Sequence, residues 1–148
     1  MKHVAAGNNW TRDYRFNNND ADRLALGIDP ASRKNNWLLT TTVGAQTYSY
    51  PHHPQHGFMS QLPHLEELGW NFKEEVVRSI RQKCTDDNIP ETTYYQYDAK
   101  GERLRKITEN QSPGDINPSI KEERFYIGAY GLYRKHNGNN AGLERGTL

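Results

Sequence analysis

The stretch Thr93-Tyr94-Tyr95-Gln96-Tyr97-Asp98-Ala99-Lys100-Gly101-Glu102-Arg103-Leu104-Arg105-Lys106-Ile107 constrains this chain more than any other, because it admits little except a strand, a tight turn and a returning strand. Tyr95 and Tyr97 alternate with polar residues, the period-two pattern of a half-buried strand. Asp98 can hydrogen-bond to its own backbone and Gly101 supplies a positive φ, so together they bracket a four-residue turn. Beyond the turn, Leu104 falls between Arg103 and Arg105, and Ile107 follows. This pattern predicts a hairpin in which the arginines form the solvent side of the second strand.

Other segments echo the unit in weaker form. Trp10-Thr11-Arg12-Asp13-Tyr14-Arg15-Phe16-Asn17 has the same alternation of aromatics, with Asn17 in the place of Asp98, and Arg23-Leu24 follows as Arg103-Leu104 does. Thr47-Tyr48-Ser49-Tyr50 repeats the beat and leads to Gly57, Met59 and Leu62. Trp70-Asn71-Phe72 leads to Val76 and Val77, and the run from Arg124 to Tyr133 supplies two further alternating pairs. Successive pairs lie roughly 20 to 35 residues apart, the range of stacked supersecondary units.

On these residues the chain resembles the YD-repeat, or RHS-repeat, family, whose Tyr-Asp pair stands here as Tyr97-Asp98 within Tyr-x-Tyr-Asp-x-x-Gly-x-Arg-Leu. More narrowly it is similar to the RHS-type component of insecticidal toxin complexes, over nearly its whole length and in the same order of segments. Those segments are Trp10-Thr11-Arg12 with Tyr14, Arg23-Leu24, Thr41-Thr42-Val43-Gly44, and Gly57-x-Met59 with Leu62-Pro63-His64-Leu65. They continue with Trp70-Asn71-Phe72, then the repeat holding Tyr95, Tyr97, Asp98, Gly101 and Arg103, then Arg124-Phe125-Tyr126-Ile127-Gly128 with Tyr133-Arg134.

The resemblance implies a mainly β fold of antiparallel YD-repeat hairpins forming part of a spiral β-sheet shell. In relatives such a shell encloses a toxic C-terminal polypeptide until delivery. Relatives that cut this payload free use an aspartate-based site in an Asp/Pro/Gly-rich region downstream of segments like these. The chain ends at Leu148 before any such region, and Asp29-Pro30 lies far upstream without the flanking pattern. The expectation is therefore a single repeat segment over 1–148, a fragment of a larger shell, structural and without catalysis or cofactor. Its expected partners are the remaining repeats, the enclosed toxin polypeptide and other toxin-complex subunits. No signal-like apolar run follows Met1, so targeting signals leave localisation open, and the resemblance implies secretion or release with the parent toxin.

About 150 residues make one ordinary domain, whereas a full shell needs several times that. The chain is 34% hydrophobic and its mean hydropathy is strongly negative, which fits partial burial and marginal stability for the piece alone. Nineteen basic against eighteen acidic side chains leave no strong field to select nucleic acid or an anionic membrane. The cluster Arg103-Arg105-Lys106 beside Tyr97 reads as a solvated strand face, so no nucleic-acid partner is expected. No stretch approaches a membrane span. The single Cys84 excludes an internal disulfide.

Punctuation gives the remaining layout. Residues 17–36, 50–57 and 109–120 read as loops and 136–148 as a mobile Asn/Gly-rich tail. One short helix around 71–83 is the most the pattern allows, with Asn71 as cap, Glu74 three residues on, and Phe72, Val76, Val77 and Ile80 as a partial stripe. The family pattern instead makes Trp70-Asn71-Phe72 a strand followed by a turn at 73–75.

No catalytic constellation stands out. Ser60 and Ser79 lack nucleophile-elbow glycines, there is no phosphate-binding glycine loop, and the adjacent pairs Glu66-Glu67 and Glu74-Glu75 diverge on a strand or a helix. His52, His53, His56 and His64 fall close together, and a His-x-x-His spacing can chelate a metal. A structural zinc site adds Cys or carboxylate ligands at fixed spacing, so a polar His/Pro loop is the simpler reading, and His64 fits a structural role. The alternative to a shell segment is a module whose exposed Tyr and Trp hold carbohydrate or a cell-surface protein.

Overall fold

Period-two patterning sets most of the chain into strands, and side-chain-braced turns decide where each one stops. A computed structural model describes residues 2–4, 11–82, 87–136 and 143–147. In chain order the elements are β1 (Lys2–Val4), β2 (Thr11–Phe16), α1 (Asp20–Ala25), β3 (Leu38–Val43), β4 (Gln46–Ser49), β5 (Leu65–Trp70) and β6 (Val76–Arg81). They continue as β7 (Asn88–Ile89), β8 (Thr92–Tyr97), β9 (Arg103–Glu109), β10 (Ser112–Pro113), β11 (Ile120–Ile127), β12 (Tyr130–Lys135) and β13 (Leu143–Thr147). The described residues are mainly β, in antiparallel sheets as the sequence pattern implies, with one six-residue helix among them. It divides into two compact units, Met1–Pro63 and His64–Leu148.

The first unit carries the sheet β1-β2-β3-β4. Gly44-Ala45 makes the two-residue link from β3 to β4, with Val43 paired to Gln46. The helix lies within 17–36, the segment expected to be a loop. The Asn and Asp residues that suggested a loop are its cap: the Asn19 side chain accepts from the backbone N–H of Ala21 and Asp22 at 3.0 and 3.1 Å. Asp20 and Asp22 sit in the first turn, where the helix dipole favours negative charge. Arg23 is therefore helical and not a strand residue like Arg103, and at 2% exposure it is the most buried large side chain described. Its guanidinium donates to the Asn17 carbonyl and Oδ1, the Asp29 and Ser32 carbonyls, and Ser32 Oγ, at 2.7–3.2 Å. One arginine thus fastens the connection after β2 to the loop that follows the helix.

Residues 50–57 form a loop, closed by an isolated bridge between His52 and Met59. The His52 ring stacks on Trp37, 4.9 Å between centroids and 6° from parallel. Gly57, at φ 81°, lies so close to the indole that a Cβ there would stand 3.0 Å from Trp37 Nε1. Only glycine meets both demands.

The second unit carries the seven-stranded sheet β13-β12-β11-β9-β8-β6-β5 and the small pair β10-β7. It is a meander interrupted twice, and the two interruptions, β7 and β10, pair with each other through Ser112–Ile89 and Pro113–Asn88. Part of the expected loop 109–120 is thereby a short strand. The tail expected to be mobile contributes β13, paired with β12 from Gly131–Thr147 to Lys135–Leu143, while 137–142 lie outside the described residues.

The helix considered around 71–83 does not form. Residues 71–75 are a turn and 76–81 are β6, paired with β5 on one side and β8 on the other. The β5–β6 ladder satisfies backbone groups that an isolated helix would have had to satisfy internally, and packing on two neighbours overrides a short amphipathic stripe. The expected hairpin is present, with Asp98 N–H bonded to the Glu102 carbonyl at 2.9 Å and Gly101 at φ 85°.

Among the described residues no apolar side chain is fully buried. The buried positions are polar, including Thr40, Thr41, Ser79, Thr92, Thr108 and Glu123. Phe72 is 93% exposed at the tip of its turn. Within each unit the described elements meet along their ladders or in sequence, and none of the same unit packs as a second layer on a sheet face, which explains this inversion of the usual distribution.

Candidate functional site

Residues paired directly across an antiparallel ladder share a face, so the register of the second unit sorts its side chains into two sets. One face centres on Glu123, which is 5% exposed on β11. Its Oε2 accepts from Arg105 Nη2 at 2.5 Å and Nε at 3.1 Å, and its Oε1 lies 3.2 Å from His136 Nε2 and 3.8 Å from Arg134 Nη1. Burial raises the Glu123 carboxyl, but hydrogen bonds and charge from Arg105 and His136 outweigh it, and its pKa lies below the ordinary carboxylate value. Phe125 is flanked by the guanidinium carbons of Arg105 and Arg134 at 4.9 and 5.4 Å from its centroid. Arg78 and Glu67 pair on the same face. Charge on this side is largely neutralised in place.

The opposite face holds the row Tyr95–Lys106–Arg124–Tyr133–Arg145, each residue paired to the next across β8, β9, β11, β12 and β13. Arg124 lies 5.7 Å from the Tyr133 centroid. Tyr133 O–H donates to Glu122 Oε2 at 2.9 Å; that bond, with burial and the nearby charge, raises the tyrosine pKa. Arg103 joins this face although simple alternation would put it with Arg105. The register shifts between Gln96 and Tyr97, and Tyr97 pairs with Arg103 instead of Leu104. That bulge brings the Arg103 guanidinium to 4.8 Å from the Tyr95 ring and 5.8 Å from Tyr97. It leaves Leu104 46% exposed, so the leucine is not the packed member of the strand. Arg105, in turn, is no solvent residue but the main partner of Glu123.

The remaining repeat-motif residues are scattered. Tyr14 is half-buried on β2, Leu24 is exposed on α1, and Trp70 ends β5 opposite Val76. His64 is exposed in the turn before β5. Tyr95 Oη lies 3.3 Å from Ser79 Oγ, and Tyr97 O–H donates to the Val76 carbonyl at 2.8 Å. Tyr126 lies on β11 beside Gly131 of β12. Gly128, with Ala129, makes the two-residue link between β11 and β12. Trp10 and Cys84 lie outside the described residues.

Of the histidines, His53 and His56 pack on each other and on Phe58, with centroids 4.8–5.5 Å apart. His53 Nδ1 accepts from the His56 backbone N–H at 3.3 Å. Burial lowers the His52 pKa against a smaller rise from a backbone hydrogen bond at Tyr50. Among the described residues no three His, Cys, Asp or Glu side chains converge as metal ligands. No described helix is long and apolar enough to cross a membrane.

The residues that the sequence did not single out are Glu123, His136 and Arg145. Strand register sets Glu123 and His136 on one face and brings Arg145 into line with Lys106 and Arg124 on the other, which no local pattern records. Comparison with known proteins returns no match, whether to a family model, a curated protein or a solved structure.

Proposed function

We propose that this chain is a structural wall segment of a YD-repeat toxin shell that encloses a C-terminal polypeptide, with no catalysis of its own. The observation that carries the reading is a hairpin sheet whose residues are ordered by ladders and turns while no apolar side chain is fully buried among those described. Repeat architectures have this property when a unit is taken by itself, because each buries its apolar surface against neighbours. The exposed Leu104, Ile127 and Tyr130 are surfaces that such neighbours would cover. The Asp98 turn with Tyr97, Gly101 and Arg103 supports the same reading, since each motif residue has a definite structural task in it.

The test is protease protection of the C-terminal polypeptide encoded by the longest reading frame that contains this segment. Protection that is lost when residues 92–109 are deleted supports a wall. A C-terminal polypeptide digested equally fast with and without the hairpin counts against it.

A further inference from the structure

The loop that begins at His53 follows the plan of the turns at Asn71 and Asp98 with a different acceptor. In each of those two, a side-chain oxygen on the first residue accepts two backbone N–H groups of the turn, and the residue before the last has positive φ. In the loop, which is one residue longer, His53 N–H donates to the Phe58 carbonyl at 2.9 Å and Gly57 N–H to the His53 carbonyl at 2.8 Å. Gly57, before the last residue, is at φ 81°. The place of the oxygen is taken by His53 Nδ1, which accepts from Gln55 and His56 N–H at 3.4 and 3.3 Å.

An imidazole holds that place in one state only. Nδ1 accepts while it carries no proton, so the closed turn needs the neutral ring with its hydrogen on Nε2. A carboxamide takes no proton and a carboxylate needs stronger acid, whereas imidazoles as a class change charge between about pH 8 and 5. Once protonated, Nδ1 is a donor facing two other donors.

We propose that His53 is an acid-sensitive latch on the 53–58 turn, closed against Trp37 while the ring is neutral and opened when it takes up a proton. The surroundings act in the same direction. The His56 ring lies 4.8 Å from that of His53, so protons on both set like charges side by side. The third ring of the group, Phe58, carries no charge. The depression between His56 and Trp37 is bordered by Arg33 and Lys34 and by no carboxylate among the described residues; Asp20 is engaged by Lys34. The preceding His52 is stacked on Trp37, and burial disfavours a proton there as well. Gly57 is the residue that presses on the indole, so opening the turn uncovers the Nε1 edge of Trp37. All of these residues belong to the first unit, and the latch does not depend on the shell reading.

Nuclear Overhauser spectra of the whole chain, recorded between about pH 7.5 and 5, test this through the contact between the Gly57 α-protons and the Trp37 indole N–H. One proton changes the closed-to-open ratio by at most about tenfold per pH unit, and the contact should weaken about threefold or more across the range. His53→Asn, which supplies a non-titrating acceptor as Asn71 does, should keep the contact at both ends, and His53→Ala should show it weak throughout. Backbone contacts between Thr93 and Thr108 on the β8–β9 ladder should not change. An undiminished contact in the parent at the acid end overturns the latch. So does an equal loss in His53→Asn, which moves the effect to His52 or His56, or to unfolding of the whole chain if the Thr93–Thr108 contacts vanish with it. Where either variant fails to fold, the nitrogen chemical shift of His53 in the parent decides. Nδ1 should be unprotonated while the contact is strong and gain its proton as the contact fades; a protonated Nδ1 at the neutral end, or a proton gained without loss of the contact, overturns the latch.

Discussion

Asn71 and Asp98 close neighbouring hairpins with one and the same hydrogen-bond set, yet the fourth residue is glutamate in one turn and glycine in the other. In the first, Asn71 N–H donates to the Glu75 carbonyl at 3.0 Å and Glu74 N–H to the Asn71 carbonyl at 3.1 Å. The Asn71 side-chain oxygen accepts from Lys73 and Glu75 N–H at 2.9 and 3.0 Å. In the second, Asp98 N–H reaches Glu102 at 2.9 Å and Gly101 N–H reaches Asp98 at 3.2 Å, while Asp98 Oδ1 takes Lys100 and Glu102 N–H at 2.8 and 2.9 Å. Glu74 sits at φ 64°, the only non-glycine residue described with positive φ, and Gly101 at φ 85°. The acceptor side chain therefore defines this turn, and glycine relieves its strain without being a condition for it.

Substitutions in the two turns can separate these contributions by chemical denaturation. Gly101→Val should cost most, about 2–3 kcal/mol, because a β-branched residue is forced into the left-handed region at φ 85°. Asp98→Ala and Asn71→Ala should each cost about 1–2 kcal/mol, since each removes the side-chain acceptor of two backbone N–H groups and hands them to water. A negligible loss at either position would mean that the ladders alone hold that turn. Glu74→Gly should stabilise by about 0.5–1 kcal/mol through relief of the positive φ. Lys100→Ala should stay within about 0.5 kcal/mol, because the bond at that position uses its backbone N–H and not its side chain.

The same pair of turns marks what could be read from sequence. The second hairpin was legible because the alternating Tyr95 and Tyr97, the Asp98 acceptor and Gly101 all point to one conformation. The first was not, because an asparagine followed three residues later by glutamate is equally a helix cap, and nothing in Asn71-Phe72-Lys73-Glu74 announces a positive φ on glutamate. Strand pairing settles it, by placing Val76 opposite Trp70 and Arg78 opposite Tyr94. Arg23 was misplaced for a related reason: the Asn19 and Asp20 that looked like loop residues cap a helix and carry the arginine into a buried polar knot. The cationic row was out of reach, since it depends on the register of five strands and on the bulge that moves Arg103 across the sheet.

The wall reading turns on whether this sheet depends on neighbours to stay ordered. Amide hydrogen exchange of the isolated chain, set beside that of the same residues within the longest reading frame, measures this strand by strand. For a wall segment, β8, β9 and β11 exchange orders of magnitude faster alone than in the longer protein, because local opening is cheap where no apolar core resists it. Equal protection in both settings would make the chain a self-sufficient domain and remove the main support for the shell.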